Sequence, residues 1–308
     1  MPTQVLFNGV QISADQYTNL NQLATRTLGN GVIVNQNYNA NGALLDTHAT
    51  KGITELLHLS YAYDTNGRKI TEADVLIPTN SEQYAFDNAN RLSSWNRGSD
   101  TQSWQLDPLA NWLNTTTNGI TEARTHDTTN AITSKTKGGI TEAIVNDADG
   151  NLKSDANFTY FLDGLNRLIE VRTTDLTTII AQYKYDTNNR RICKIVGNTT
   201  TTYAYTGWQV AEEKEVKTLT NTTETTTRTF AYGPYIDEPL MMSVTQPNGT
   251  TNKFWYLHNQ QFSVYALLND LGVITEQYHY SAYGHPIINS GSGAVLTSSA
   301  IGNTYMYT

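Results

Sequence analysis

The chain has 308 residues, of which 38% are hydrophobic but only 16% charged, with a net charge of −8 and a single cysteine. No basic stripe is present to neutralise phosphates, which argues against nucleic acid or an anionic membrane surface as a partner. One cysteine, Cys193, excludes an internal disulfide framework and a cysteine-based zinc site, and no stretch nears the roughly 18 apolar residues of a membrane span.

Thr, Asn, Gly, Ser and Gln fill the balance, and Tyr stands at 19 against 7 Phe and 5 Trp. Tyr and Thr favour half-buried pleated surfaces, so the composition points to strands. The start, Met1-Pro2-Thr3-Gln4, lacks the basic and apolar regions of a secretory signal.

In chain order, a motif then recurs. Weak copies at Tyr17-Thr18-Asn19-Leu20 and Tyr38-Asn39-Ala40-Asn41-Gly42 precede the clearest one, Tyr61-Ala62-Tyr63-Asp64-Thr65-Asn66-Gly67-Arg68-Lys69-Ile70. Tyr84-Ala85-Phe86-Asp87-Asn88-Ala89-Asn90-Arg91-Leu92 follows, then weaker forms around Asp107, Asp127 and Asp147. Tyr160-Phe161-Leu162-Asp163-Gly164-Leu165-Asn166-Arg167-Leu168 reads as a copy with one extra residue or a shifted register. Tyr183-Lys184-Tyr185-Asp186-Thr187-Asn188-Asn189-Arg190-Arg191-Ile192 is complete. Copies lie roughly 20 residues apart over most of the chain, and Gly-Ile-Thr-Glu recurs at Gly52, Gly119 and Gly139.

Each unit reads as a hairpin. Tyr-x-Tyr puts two rings on one strand face, because side chains alternate with period 2. Asp-x-Asn-Gly fits a type I turn with Asp first and Gly fourth, and the Asp carboxylate can accept from the backbone two residues on. Asp64, Gly67, Asp87, Asp163 and Asp186 are therefore the expected turn-forming residues. The Arg-Leu or Arg-Lys-Ile that follows begins the return strand. One such hairpin is marginal alone, so neighbours must pair side by side.

Beyond residue 192 the spacing loosens. Residues 211–217 have helical propensity but fit a polar strand and loop; the Thr-rich run 218–229 fits a solvent-facing hairpin or a loop. Ser290-Gly291-Ser292-Gly293 reads as a flexible connector. The expected organisation is a hairpin array over 1–192, a further β segment over 193–289, and a connector with the start of another repeat over 290–308.

Residues 17–192 resemble the Rhs (rearrangement hot spot) and YD-repeat family, which includes the C component of bacterial insecticidal toxin complexes and the teneurin shell. Phe230-Ala231-Tyr232-Gly233-Pro234-Tyr235-Ile236-Asp237-Glu238-Pro239-Leu240, Phe254-Trp255-Tyr256-Leu257-His258 and Tyr278-His279-Tyr280-Ser281-Ala282-Tyr283-Gly284 resemble the end of the Rhs-associated core. Asn259-Gln260-Gln261-Phe262-Ser263 departs from the family's Asp-x-x-Gly-Ser. The ending at Thr308 falls where relatives continue, which reads as truncation or one piece of a split system. The resemblance implies an all-β spiral of antiparallel hairpins, a partial or small shell or barrel. It also implies a structural role around a toxin or cargo polypeptide, with other Rhs segments as partners, in a secreted or cell-surface toxin system.

No catalytic constellation is legible. Asp237-Glu238 would point to opposite strand faces, and Asp147-Ala148-Asp149-Gly150 lacks the remaining ligands of a calcium loop. No histidine pair has the spacing of a helical zinc site, so neither a metal nor a cofactor is expected. The ambiguous feature is the aromatic rows. Tyr61, Tyr63, Tyr183 and Tyr185 could stack on a cell-surface glycan or pack between strands, so a carbohydrate- or protein-binding module is the alternative function.

Overall fold

The computed structural model describes residues 2–308. It is all-β: 29 strands and one 3-10 turn (Pro78–Asn80), with no α-helix among the described residues. Strands from Gln4–Phe7 to Ile140–Ala143 make a 14-stranded sheet, and those from Val145–Asn146 to Val295–Leu296 a 15-stranded one. Strand order follows the chain in both, and the described pairs are antiparallel. The end strands of each sheet have one neighbour apiece, so neither sheet closes into a barrel. The two sheets part at Ile144, whose N–H still donates to the Thr133 carbonyl.

Turns alternate between the two ends of the strands, as a meander requires. At one end of the strands lie four-residue turns such as 64–67, where Gly67 N donates to Asp64 O and Asp64 N to Arg68 O. At the other end some turns have two residues, and others, such as those starting at 28, 246 and 269, have four. Asn118-Gly119 takes positive φ at both positions (48° and 79°), the type I′ geometry whose twist matches paired strands. Two strands of about six residues plus one turn of each kind account for the repeat length. The Asp163 turn has the same two bonds, from Asp163 N to Arg167 O and from Asn166 N to Asp163 O. It holds no extra residue: Tyr160 stands three before the Asp, as Tyr61 does.

The chain divides into two compact units. One runs to Tyr84 and takes in Tyr205–Glu212 and Thr227–Thr308; the other is Ala85–Ala204 with Glu213–Thr226. The first unit is layered. Strands Val10–Tyr17, Leu44–Lys51 and Thr54–Tyr63 alternate in burial, and Ile12, Leu44, Ala49, Leu57 and Leu59 join a cluster with Met241, Trp255, Leu257, Ala266 and Leu268. Gly29 permits this closeness, because a Cβ there would clash with the Trp255 ring. Strand Val264–Leu268 is buried at all five positions, as expected of a strand covered on both faces. Its second face joins Met242, Val244, Tyr256 and Tyr278, with Ile301, Tyr305 and Met306 packed on them.

Within 290–308, expected to hold a connector and the start of a further repeat, residues 299–308 add no strand. They are held instead by polar anchors. Glu276, 1% exposed, accepts from Ala300 N at 2.6 Å, Ile301 N at 3.2 Å and Ser299 Oγ at 2.7 Å. Tyr256 donates to Asn303 Oδ1 at 3.0 Å. Ser290 to Gly293 form another four-residue turn, with Ser290 N donating to Ala294 O. The helix-prone segment lies in strand Gln209–Thr218, and the Thr-rich run continues into strand Thr223–Tyr232.

The second unit is thinner in apolar burial. Its buried apolar residues are Trp95, Trp104, Val171 and Ala181, and none belongs to either large cluster. Strand Ile140–Ala143 is exposed throughout.

Candidate functional site

The repeat turn is built around its aspartate. Asp64 Oδ1 accepts from Asn66 N (2.9 Å) and Arg68 N (3.0 Å), while Oδ2 accepts from Arg68 Nε (2.6 Å). Asp87, Asp163 and Asp186 repeat all three bonds with Arg91, Arg167 and Arg190. Gly67 takes φ +78°, and Asn90, Asn166 and Asn189 take its place elsewhere with φ between 58° and 63°. Asparagine tolerates this region better than most residues, so either closes the turn. The arginine hydrogen bond is the leading cause that holds the Asp64 and Asp163 carboxyls below the usual carboxylate range. At Asp87 the backbone N–H of Arg91 leads.

The residue after the turn also reaches the next turn. Arg91 Nη1 donates to Asp107 O at 2.6 Å, and Arg167 Nη1 to Asn189 Oδ1 at 3.0 Å. Where Asn stands in place of Arg, Asn151 Nδ2 donates to Asn166 Oδ1 at 3.1 Å. Successive turns in the second unit are thus linked side by side.

The tyrosine before each turn has its own role, which the sequence did not reveal. Tyr63 donates to Leu44 O at 2.6 Å and Tyr185 to Leu168 O at 2.7 Å. Tyr38 donates to Leu23 O at 3.0 Å, and Tyr280 to Val264 O at 2.6 Å. In all four, the acceptor is the residue five after the start of the previous turn at the same end of the strands, at 18, 39, 163 and 259. The hydroxyl therefore ties one hairpin to the previous one. Of the rings considered for sugar stacking, Tyr61 is 5% exposed and its hydroxyl accepts from Gln260 N. Arg167 lies 5.0 Å from the Tyr185 ring centroid and Arg191 5.8 Å from that of Tyr183.

Within the first unit a cleft of about 520 Å³ is lined by Tyr17, Arg26, Tyr38, Glu238, His258 and Phe262, among others. Arg26 is buried, with Nε and Nη2 on the Asp15 carboxylate at 2.9 and 2.6 Å and Nη1 on Glu238. Two carboxylates against one guanidinium leave no free positive charge for an anionic ligand. His258 stacks on Tyr256, and its buried Nε2 has no hydrogen-bond partner. Burial, then the Arg26 charge, pushes its pKa down to about 3, so the ring is neutral.

A second buried carboxylate, Glu72, accepts from Tyr265 Oη (2.7 Å), Asn259 Nδ2 (3.2 Å) and Lys69 Nζ (2.5 Å). Burial first, and the Glu72 charge next, raise the Tyr265 hydroxyl well above its ordinary value. Sequence reading missed Glu72 and Glu276, since nothing marks a strand glutamate as buried until its distant partners are known. Of the pair Asp237-Glu238, Asp237 is exposed and Glu238 is the one that meets Arg26. Each of these buried charges joins segments far apart in sequence.

The Teneurin YD-shell family model matches residues 16–297. The chain belongs to this family. The Tyr–Asp pair that names the YD-shell is here the interhairpin tie and the turn cap just described. The tRNA3(Ser)-specific nuclease WapA of Bacillus spizizenii is 31% identical over 153 residues, 50% of this chain and 6% of the nuclease. The tRNA nuclease WapA of Bacillus subtilis is 28% identical over the same share. The crystal structure of TcdB2-TccC3 superposes with a TM-score of 0.50 at 14% identity, over 88% of this chain and 18% of that one. The YD-shell segment therefore spans a small fraction of the proteins it resembles.

Proposed function

We propose that this chain is a wall segment of a bacterial toxin shell that encloses or presents a polypeptide cargo, and that it carries no chemistry of its own. The observation behind this is the repeating Tyr–Asp unit, in which side chains that look chemically capable are used to cap turns and to join hairpins. YD-shell membership supports the architecture, and the named activity of the WapA relatives supports a toxin context. The nuclease activity belongs to those longer proteins, so the cargo here is a separate question. A glycan-binding face is weaker, because Tyr61 is buried and arginines lie near the rings of Tyr183 and Tyr185.

Protection from protease tests the proposal. A reporter polypeptide fused after Thr308 is expected to resist proteinase K while the chain is folded, and to be digested once it is denatured. Light scattering on the same sample gives the number of copies. A reporter cut as fast in the folded fusion as when free would overturn enclosure. Saturable glycan binding, lost on Tyr185→Ala, would establish the binding module instead.

A further inference from the structure

Strands Leu44–Lys51 and Thr54–Tyr63 are joined by a two-residue turn at Gly52. Across them His48 stands directly opposite His58, with ring centroids 4.5 Å apart. Thr47, Ala49, Leu57 and Leu59 are buried on one face, so His48, His58 and Asp46 occupy the other. Period 2 alone would send Glu55 to the core side. The register shifts between Ala49 and Thr50, with Ala49 opposite Leu57 but Thr50 opposite Glu55, so Leu56 is the extra residue of a bulge. A bulge re-aims the side chains beyond it. Here it brings Glu55 Oε1 to 2.9 Å from His48 Nε2.

One ligand atom from each of His48, Glu55 and His58 lies within 4.8 Å of the others. Asp46 Oδ2 stands 2.7 Å from His58 Nε2 and orients that ring, as carboxylates do for metal-binding histidines. The imidazoles are about a quarter exposed and Glu55 about half, so an ion can enter from solvent. Two imidazoles and a carboxylate suit a zinc-class divalent ion, whereas calcium and magnesium select all-oxygen sites. Three protein ligands with a free position is also the donor set of open zinc sites.

We propose that His48, His58 and Glu55 form a surface site for a zinc-class divalent transition-metal ion on this hairpin, with Asp46 as a positioning residue. The ion pins the two strands at the bulge and leaves a coordination position for water or for a donor group of a partner. The site uses none of the groups assigned to hairpin ties, so it stands whether or not the chain encloses cargo.

Isothermal titration of the full chain with ZnCl₂ tests this. The expected result is one zinc per chain, with affinity falling about tenfold or more in His48→Ala and in His58→Ala. His126→Ala should leave it unchanged, and MgCl₂ should give no binding. Glu55→Gln, at a half-exposed position, gives a ligand loss that cannot unfold the core, and should also weaken zinc. Urea midpoints without metal report whether the histidine variants remain folded. No zinc binding to the wild type, or binding unchanged in both histidine variants and in Glu55→Gln, overturns the site.

Discussion

Arg26 shows how charge is used inside this fold. It is buried with two carboxylates, so removing it strands both in a poorly solvated place. Breaking a buried pair this way costs about 3–5 kcal/mol, whereas replacing all partners with apolar groups is often close to neutral. Arg26→Ala is therefore expected to lower the urea midpoint steeply. The triple variant with Arg26→Met, Asp15→Leu and Glu238→Leu should recover most of that loss; equal midpoints for Arg26→Ala and wild type would show the cluster to be irrelevant.

His258 sets a pH window. Its folded pKa of about 3 lies below the ordinary histidine value of about 6.5, so between these values the unfolded chain binds a proton that the folded chain refuses. Stability contributed by the neutral ring is complete above about pH 6.5 and is lost as pH falls toward 3. Denaturation midpoints measured from about pH 6.5 down to 5 should fall for wild type and flatten in His258→Phe. That range lies above the window of the turn aspartates. Their carboxyls are depressed, so their contribution is lost only below about 3.9.

At the scale of the element, the two kinds of turn place opposite demands on glycine. Gly119 has φ +79° in open space, so a methyl group there meets no atom and only the backbone is strained. Gly164 is the second residue of the Asp163 turn, also in open space, and its φ lies outside the left-handed region. Gly119→Ala should destabilise by about 1 kcal/mol, and Gly164→Ala should stabilise by about 0.4–1 kcal/mol through the unfolded chain. Thermal melts of the two variants should move in opposite directions; shifts of the same sign would mean the turns are misread. The Asp turns were legible because Asp, Asn and Gly carry their geometry locally. The tyrosine tie was not, since its acceptor lies 17 residues away for Tyr185 and 19 for Tyr63. The His48–His58 pair was half legible: a turn at Gly52 brings the strands together, but only the bulge at Leu56 makes the register match.

For the whole molecule, apolar burial is uneven. Strands Pro239–Thr245, Thr251–His258 and Val264–Leu268 hold half of the largest fully buried side chains, while strands Ile132–Lys137 and Ile140–Ala143 hold none. Opening free energy rises with buried apolar contact, so amide exchange should be slowest in the first group and fastest in the second. Uniform protection along the chain would mean that the whole molecule opens as a single cooperative unit.

By itself the sequence determined the all-β class, the hairpin repeat and its Asp turns. These depend on period-2 alternation and on turn residues within a few positions of one another, and the same local chemistry repeats along the chain. The tertiary structure decided which hairpins gain a second layer. Glu72 meets Tyr265 across 193 residues and Arg26 meets Glu238 across 212. Repeats that look alike locally carry no mark of such a partner, because burial is a property of what packs against a strand and not of the strand itself.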